Sequence, residues 1–360
     1  MTRARAMQSD YMHWAKFNAP VRFALTASEV PHFRLDSLPI TIGDLDLDGA
    51  SHPRYAPLRD AIARRYGVNS NQVVTADGTS MANFLAMAAL ISPGDEVLIE
   101  RPTYEPLLGV ASFLGANIKR FDRCANNGFG VDLDQIESAV SDATRLIILT
   151  NLHNPSSALI DEEELRALGA IAKRSNALLL IDEVYIDSAV PPRRSAVHLG
   201  PEFVCTNSLT KVYGLSGLRC GWVLASPELA ERLWRLNDLF GVNQAHPAER
   251  LACIAFDQID KVIGDTPAML ARNRDLFNRF AASRHDLTCM PAEHGITVFP
   301  RWAGGDTHRL DALLRERYET AIVAGRWFEM PDHFRLGLGL PTALLEQALD
   351  RLGSALDQIG

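Results

Sequence analysis

Residues 208–221 have the sequence Ser-Leu-Thr-Lys-Val-Tyr-Gly-Leu-Ser-Gly-Leu-Arg-Cys-Gly and directly follow an apolar segment. The side chain of Lys211 carries a primary amine, which can form a Schiff base with an aldehyde. Ser208, Thr210 and Arg219 supply two hydroxyls and a guanidinium group, which suit a phosphate dianion. The stretch therefore predicts a site for a cofactor that carries both an aldehyde and a phosphate, and pyridoxal phosphate has both groups.

The spacing of these residues resembles the lysine motif of the class I/II aminotransferases, which are pyridoxal phosphate enzymes of fold type I. In that family a Ser-x-Ser/Thr-Lys sequence is followed eight residues later by the arginine that binds the phosphate, and Lys211 and Arg219 keep this spacing. Without other evidence, a surface lysine beside a glycine-rich turn is the more common origin of such a short motif. The interpretation therefore depends on distant segments that match the same family.

Two apolar runs with the length of buried parallel strands end in polar side chains. Polar residues at the ends of such strands face the ligand crevice of an α/β fold. The resemblance implies that Asp182 pairs with the pyridine nitrogen of the cofactor, and that Tyr185 and Asn154 bind its phenolic oxygen. Alone, an Asp-Glu pair after a strand is more often a helix cap or a metal ligand, and an Asn-Pro pair is more often a plain turn. The sequence after Asn154 is Pro-Ser-Ser, where the family has Pro-Thr-Gly.

A third segment, residues 72–83, predicts a strand, a tight turn at Gly78 and then a helix. A helix N-terminus offers free amide groups and partial positive charge to an anion. Gly78, Thr79 and Ser80 are therefore predicted to form the second half of the phosphate site, although either hydroxyl also suits an ordinary N-cap. Further along the chain, Tyr104 matches the aromatic residue that stacks on the cofactor ring in the family.

Three more residues are predicted to contact the substrate or the neighbouring subunit. Arg335, in a late segment that matches a strand of the family, is implied by the resemblance to bind the substrate α-carboxylate through two hydrogen bonds. Without the resemblance it would be interpreted as a salt-bridged surface arginine. Ser28 lies near the place of a family glycine and could touch substrate, and a plain loop role is equally consistent. Tyr55 precedes a helix that resembles one of the family, in which a tyrosine reaches the phosphate of the neighbouring subunit.

The composition is that of an ordinary globular protein, since 47% of the 360 residues are hydrophobic. The formal net charge of −8 argues against a nucleic-acid partner, which would need clustered lysines and arginines. The five cysteines are scattered without a Cys-x-x-Cys spacing, so neither a disulfide framework nor a zinc site is predicted. The sequence has no recognisable leader and no run long enough to span a bilayer, and we expect a cytoplasmic protein with no membrane partner and no metal.

Between residues 70 and 225, apolar strands alternate with amphipathic helices, a pattern typical of a largely parallel sheet covered on both faces. The resemblance implies an α/β fold of fold type I, with a large cofactor domain over residues 46–245. This domain is expected to have a mostly parallel seven-stranded sheet between helices. Residues 1–45 and 246–360 are expected to form a smaller α+β domain. The family also implies a homodimer with its active sites at the subunit interface.

These observations predict an aminotransferase that uses pyridoxal phosphate to move the amino group of an L-amino acid to a 2-oxo acid through a Schiff base at Lys211. The cofactor motifs serve equally for a β-lyase, a decarboxylase or a cyclase of the same fold, so these reactions stay open as alternatives. A regulatory sensor domain is disfavoured because no additional helix-turn-helix segment is present. A dinucleotide-binding domain is disfavoured because Gly-x-Gly-x-x-Gly does not follow the first strand. The amino donor and acceptor are not assigned.

Overall fold

The computed structural model describes residues 5–359, which form twelve α-helices and fourteen β-strands. The helices are α1 (Asp10–Phe17), α2 (Ala56–Tyr66), α3 (Gly78–Leu90), α4 (Glu105–Phe113), α5 (Leu133–Ala139), α6 (Glu162–Arg174), α7 (Pro227–Asn237), α8 (His246–Asp257), α9 (Ile259–Ile263), α10 (Thr266–Ala282), α11 (Thr307–Tyr318) and α12 (Thr342–Ile359). The strands are β1 (Phe23–Ala24), β2 (Val73–Asp77), β3 (Glu96–Arg101), β4 (Asn117–Asp122), β5 (Thr144–Thr150), β6 (Leu178–Asp182), β7 (Phe203–Ser208), β8 (Cys220–Leu224), β9 (Leu287–Thr288), β10 (Thr297–Val298), β11 (Arg301–Trp302), β12 (Thr320–Ala321), β13 (Val323–Ala324) and β14 (Phe334–Gly337). Within these described residues, no helix is both long enough and apolar enough to cross a membrane.

A seven-stranded sheet with the order β2-β8-β7-β6-β5-β3-β4 forms the centre of the larger part of the protein. Of these seven strands, β8 runs against its neighbours β2 and β7, and the remaining pairs are parallel. The register pairs Thr150 with Asp182 and Asp182 with Thr206, so the carboxyl ends of β5, β6 and β7 meet at one edge. The predicted fold class, with its mostly parallel seven-stranded sheet, is confirmed.

Both faces of this sheet are buried, because alternate residues of each central strand enter different cores. In β5, Ile147 and Leu149 pack on one side, while Leu146 and Ile148 pack on the other. Helices α2, α6 and α8 cover the first face, and α3, α4 and α7 cover the second. This double burial explains the continuous apolar runs in the sequence, since a strand with one face in water would alternate apolar and polar residues.

Helix α6 shows how the local sequence sets the ends of an element. Asp161 accepts a hydrogen bond from the Glu164 amide at 2.9 Å, and the Glu164 carboxylate accepts one from the Asp161 amide at 2.9 Å. This reciprocal capping box satisfies two amides that the helix itself cannot pair. Lys173 and Arg174 in the last turn interact favourably with the negative end of the helix dipole.

The C-terminal part forms a second core from α10, α11, α12 and short strands, and β1 joins it by pairing in parallel with β12. Helix α8 packs instead against α2, and apolar residues as far along the chain as Val262 belong to the core beneath the large sheet. We therefore propose a two-domain organisation in which the division lies near residue 264, later than the predicted boundary at 245.

Candidate active site

A cavity of about 770 Å³ opens at the carboxyl ends of β5, β6 and β7, between the large sheet, α1 and the C-terminal part. Most of the residues that the sequence predicted for the site line this cavity. Those that line it are Ser28, Thr79, Ser80, Tyr104, Asn154, Asp182, Tyr185, Ser208, Thr210, Lys211, Arg219 and Arg335. Gly78 lies behind the wall of the cavity, and Tyr55 lies elsewhere.

Lys211 faces this cavity from the turn that follows β7, and its Nζ donates a hydrogen bond to Ser28 Oγ at 3.1 Å. Removal from water lowers the pKa of the Lys211 amine. The Arg335 guanidinium acts in the same direction, while the carboxylates of Glu29 and Asp182 oppose it. Because its pKa is lowered, the amine is neutral, and therefore nucleophilic, over a wider range of pH.

Asp182 is buried at the end of β6, with 4% of its surface exposed. Its Oδ2 accepts a hydrogen bond from Asn83 Nδ2 at 2.8 Å, and its Oδ1 accepts one from the backbone amide of Val184 at 3.0 Å. Burial raises the pKa of Asp182 to about 6, although these hydrogen bonds and the charge of Lys211 lower it. A buried carboxylate in this position suits a cationic partner, such as a protonated pyridine nitrogen.

Asn83 is a residue of the site that the sequence motifs missed. It lies on α3, four residues after Thr79 and three after Ser80, so the three side chains lie on neighbouring parts of one helix face. Its Oδ1 accepts a hydrogen bond from Thr206 Oγ1 at 2.6 Å, which turns its Nδ2 toward Asp182. The helical spacing from the predicted phosphate residues is the signal that could have identified it.

The pairing of β2 with β8 builds one wall of the phosphate site. Asp77 lies opposite Cys220 in the register of the two strands, which brings Gly78 beside Arg219. Arg219 Nη2 donates a hydrogen bond to the backbone oxygen of Asp77 at 3.0 Å. Gly78 has a φ angle of 79°, and an added Cβ there would collide with the Arg219 guanidinium. The position therefore requires glycine for two separate reasons.

The first turn of α3 provides hydrogen-bond donors that the protein leaves unused. Thr79 Oγ1 is shielded from water and has no hydrogen-bond partner among residues 5–359. The helix N-terminus beside it carries free amide groups. Ser208 and Thr210 line the same cavity, next to Arg219. A shielded unpaired hydroxyl, free helix amides and a guanidinium group together fit the phosphate dianion of pyridoxal phosphate.

Arg335, on β14, is buried with 2% of its surface exposed. Its Nη1 donates to Asn154 Oδ1 at 3.0 Å, and its Nη2 donates to the Tyr11 hydroxyl at 2.9 Å. Within the part of the chain that the structure describes, no carboxylate forms an ion pair with it. The alternative of a salt-bridged surface arginine is therefore wrong. A buried cation without an acidic partner is costly, so the position suits the carboxylate of a substrate.

Tyrosines form another wall of the cavity. The rings of Tyr104, at the start of α4, and Tyr11, on α1, meet edge to face with their centroids 6.0 Å apart. Burial raises the pKa of the Tyr104 and Tyr185 phenols, which keeps both protonated and able to donate hydrogen bonds. Tyr11 was missed by the sequence analysis, because the helix that carries it contains no motif and reaches the site only through tertiary packing.

Tyr55 does not line the cavity of its own chain. Its ring packs edge to face against His246, with the centroids 4.8 Å apart. Its contact with the phosphate of a neighbouring subunit therefore stays a prediction.

The fold and the cavity define an enzyme of the pyridoxal phosphate fold type I class. The chain belongs to the class I and II aminotransferase family, whose model matches residues 49–352. Its cofactor is pyridoxal phosphate. Members of the family act on amino acid and 2-oxo acid substrates and typically form dimers.

Individual relatives span more than one kind of enzyme. Capreomycidine synthase of Streptomyces vinaceus is 34% identical over 306 residues, which cover 83% of this chain and 78% of that protein. Histidinol-phosphate aminotransferase 2 of Haemophilus influenzae is 27% identical and covers 79% of this chain and 76% of its own length. Among solved structures, the PLP-dependent cyclase OrfR matches 99% of both chains at 25% identity and a TM-score of 0.87.

Proposed function

We propose that the protein is an aminotransferase that moves the amino group of an L-amino acid to a 2-oxo acid, with Lys211 as the catalytic residue. The observation that carries this proposal is that Lys211 and Arg335 face one cavity whose wall includes Asp182, and that Arg335 has no ion-pair partner among residues 5–359. When bound there, pyridoxal phosphate supplies an aldehyde and a ring that accepts electrons from the substrate α-carbon.

The cofactor contacts in this proposal follow from the shape of the cavity. The phosphate binds at the N-terminus of α3, which begins at Gly78, and to the hydroxyl and guanidinium groups around it. These groups belong to Thr79, Ser80, Ser208, Thr210 and Arg219. Asp182 pairs with the ring nitrogen, because its buried carboxylate needs a positive partner. Asn154 and Tyr185 bind the phenolic oxygen, and Tyr104 packs on the ring face.

The substrate contacts begin with Arg335, whose remaining N–H donors bind the α-carboxylate. Its hydrogen bonds to Asn154 and Tyr11 fix the plane of the guanidinium, so the carboxylate binds in one orientation. Lys211 Nζ donates a hydrogen bond to Ser28 Oγ, which directs the amine into the cavity. With its pKa lowered, the Lys211 amine can be neutral. It can then accept the proton from the substrate α-carbon and donate a proton to the carbon on the other side of the substrate nitrogen.

A second candidate function is a cyclase or another reaction on an amino acid with the same cofactor. Two observations favour it: the relative with 34% identity is capreomycidine synthase, and the PLP-dependent cyclase OrfR matches 99% of both chains. The same residues would hold the cofactor in either case. The two functions differ in whether a 2-oxo acid acceptor is consumed.

The test compares products of the holoenzyme with and without an acceptor. Each of the common amino acids is incubated with the protein in the presence or absence of pyruvate and 2-oxoglutarate. Transamination predicts multiple turnovers and a new amino acid only when an acceptor is present. Sustained formation of a cyclic product, ammonia or carbon dioxide without an acceptor would replace this proposal with the second candidate. Lys211→Ala is the inactive control for both.

We also propose that the protein acts as a cytoplasmic homodimer. Large apolar side chains are exposed on two segments, and these are Ile42, Leu47, Leu239, Phe240 and Val242. The segments are neighbours, because Asn243 donates a hydrogen bond to Ser51 at 3.0 Å. Exposed apolar side chains on neighbouring segments favour burial against another protein surface, which supports a subunit interface here.

A further inference from the structure

Three side chains of the types that bind transition metals come together outside the active-site cavity. Asp46 and His52 belong to the segment before α2, and His246 is the first residue of α8. One ligand atom from each lies within 4.8 Å of the other two. None of the three lines the cavity around Lys211. The cluster is therefore a separate feature of the molecule.

The distances within the cluster match a tetrahedral metal site. Two ligand atoms that each lie about 2.0–2.1 Å from a zinc ion are roughly 3.4 Å apart in a tetrahedron. His246 Nε2 and Asp46 Oδ2 are 3.3 Å apart. His52 is exposed, so its ring can move the remaining distance of about 1 Å without disturbing the core.

A buried carboxylate lies behind the histidine that anchors the cluster. His246 is 6% exposed, and its Nδ1 is 3.5 Å from Oε2 of Glu249, which is 4% exposed. Neither of these two atoms has a hydrogen-bond partner among residues 5–359. A metal-binding histidine ordinarily directs its second ring nitrogen at a carboxylate, which fixes the tautomer and the ring orientation. Glu249 is placed for this role when Nε2 of His246 binds a metal.

The cation near the cluster, Arg250, uses its Nε for a backbone oxygen. Arg250 Nε donates a hydrogen bond to the backbone oxygen of Asp44 at 3.0 Å, and Arg250 forms no ion pair with Asp46 within the described residues. The carboxylates of Asp46 and Glu249 therefore have the His246 ring between them, and no lysine or arginine among residues 5–359 forms an ion pair with either. A divalent cation at Nε2 would supply the missing positive charge.

We infer that Asp46, His52 and His246 bind one Zn²⁺ ion. Two imidazoles and one carboxylate select zinc over calcium or magnesium, which prefer oxygen ligands. The ion ties the segment before α2 to α8, two parts of the chain whose ligands are 200 residues apart. Its proposed role is to hold these two segments together, and it lies outside the cavity of its own chain. The cysteine pattern gave no indication of it, since none of its ligands is a cysteine.

The test uses the holoenzyme, cleared of metal with a chelator and titrated with Zn²⁺ by calorimetry. The expected result is one tight site per chain, together with a rise in melting temperature on adding zinc. His52→Ala should lower the zinc affinity at least about 10-fold and abolish the rise, and Glu249→Gln should lower the affinity about 10-fold to 100-fold. His52 is exposed, so the first variant is expected to fold normally.

His285→Ala is the matched control, because this histidine is exposed and lies outside the cluster. It should bind zinc as the wild type does. The absorbance of the cofactor is recorded during the titration and should not change, which separates this site from zinc bound at the active site. Absence of a tight site in the wild type, or equal zinc affinity in His52→Ala and the wild type, would overturn the inference.

Discussion

The carboxylate of Asp182 and the side-chain amide of Asn83 form a buried hydrogen bond of 2.8 Å at the end of the central sheet. Asn83 is held in turn by Thr206, which is the partner of Asp182 in the register of β6 and β7. One helix and two strands therefore fix the direction of a single carboxylate. This rigidity matters because a charged group can stabilise a reacting ring only if its position is set before the reaction.

We expect Asn83→Ala to weaken the binding of pyridoxal phosphate about 10-fold, or about 1.4 kcal/mol, because Asp182 loses a hydrogen bond to its charged form. The same loss should move the pKa of Asp182 further above its present value of about 6. Titration of the cofactor-free protein with pyridoxal phosphate, followed by absorbance, measures the affinity. Asn278→Ala is the control, since that amide bonds Ala292 in the C-terminal part. Equal affinities for the two variants would rule out a positioning role for Asn83.

Asp182 should make the stability of the cofactor-free protein fall as pH rises. Its pKa is raised to about 6 in the folded chain from an ordinary value of 3.8, so the folded state binds this proton more tightly than the unfolded state. The resulting stabilisation is complete below about pH 4 and is lost as pH rises through about 6. At 1.36 kcal/mol for each pKa unit, the loss amounts to roughly 3 kcal/mol.

Asp182→Asn cannot ionise and should not suffer this loss. Urea unfolding of both cofactor-free proteins at about pH 4.5 and pH 7.5 gives the two free energies of unfolding. The variant is expected to gain about 2 kcal/mol relative to the wild type between the two pH values, because part of the loss has already occurred at pH 4.5. Contributions from other titrating groups are common to both proteins and cancel. A difference that does not change with pH would contradict the raised pKa of Asp182.

The strand ends of the site could be predicted from sequence, because a buried strand is a continuous apolar run. The first polar residues after the run mark the end of the strand. The positions of Asp182 and Asn154 were predicted in this way and their roles came from the family resemblance, whereas Lys211 and Arg219 were predicted from their own chemistry and then matched to the family motif. Asn83 and Tyr11 could not be found by the same reasoning. Their roles depend on which helix faces the strand ends, and that is decided by packing between distant segments and not by any local pattern.

The cluster of Asp46, His52 and His246 could not be predicted from sequence for the same reason. Its ligands are in separate segments, and their spacing in the sequence carries no metal-binding pattern. The proposed domain division near residue 264 also depends on packing, since the helical sequence of α8 is compatible with either core. Helix α8 packs against α2, and this tertiary contact depends on the surface that α2 presents.

Gly78→Ala should lower the affinity for pyridoxal phosphate at least about 10-fold, because the new methyl group would displace the Arg219 guanidinium. Gly67→Ala is a matched control. Both glycines have positive φ angles, 79° and 64°, so both variants should lose about 1–2 kcal/mol of stability through backbone strain. No atom lies within 4 Å of a Cβ at Gly67, so this variant should bind the cofactor normally. Similar losses of affinity in both variants would show that strain, and not the collision, is responsible.

Arg335→Gln should raise the KM for the amino donor about 100-fold, which corresponds to about 2.7 kcal/mol and to the loss of a charged pair of hydrogen bonds. Tyr11→Phe removes one partner that orients the guanidinium and should raise KM by less, at most about 10-fold. Binding of the cofactor should be unchanged in both. Arg326→Gln, at an exposed arginine on a neighbouring turn, is the control. A normal KM in Arg335→Gln would remove this residue from the substrate site.

Tyr55 can be assigned to one subunit or the other by mixing two defective chains. Lys211→Ala should abolish activity, and Tyr55→Phe should weaken it through the loss of one hydrogen bond to the phosphate, about 10-fold in cofactor affinity. The mixed dimer combines a first chain that carries Lys211→Ala with a second chain that carries Tyr55→Phe. Its one active site with a lysine has Lys211 from the second chain. If Tyr55 acts across the interface, that same site receives an intact tyrosine from the first chain.

The mixed dimer, isolated with two different affinity tags, should therefore have one site with normal cofactor affinity and about half of the wild-type activity. If Tyr55 served its own chain, every site that retains Lys211 would contain the Tyr55→Phe change, and the affinity would stay about 10-fold weaker. The position of Tyr55 outside its own cavity, against His246, favours the first outcome. A monomeric protein in sedimentation experiments would contradict both the exchange of residues and the homodimer.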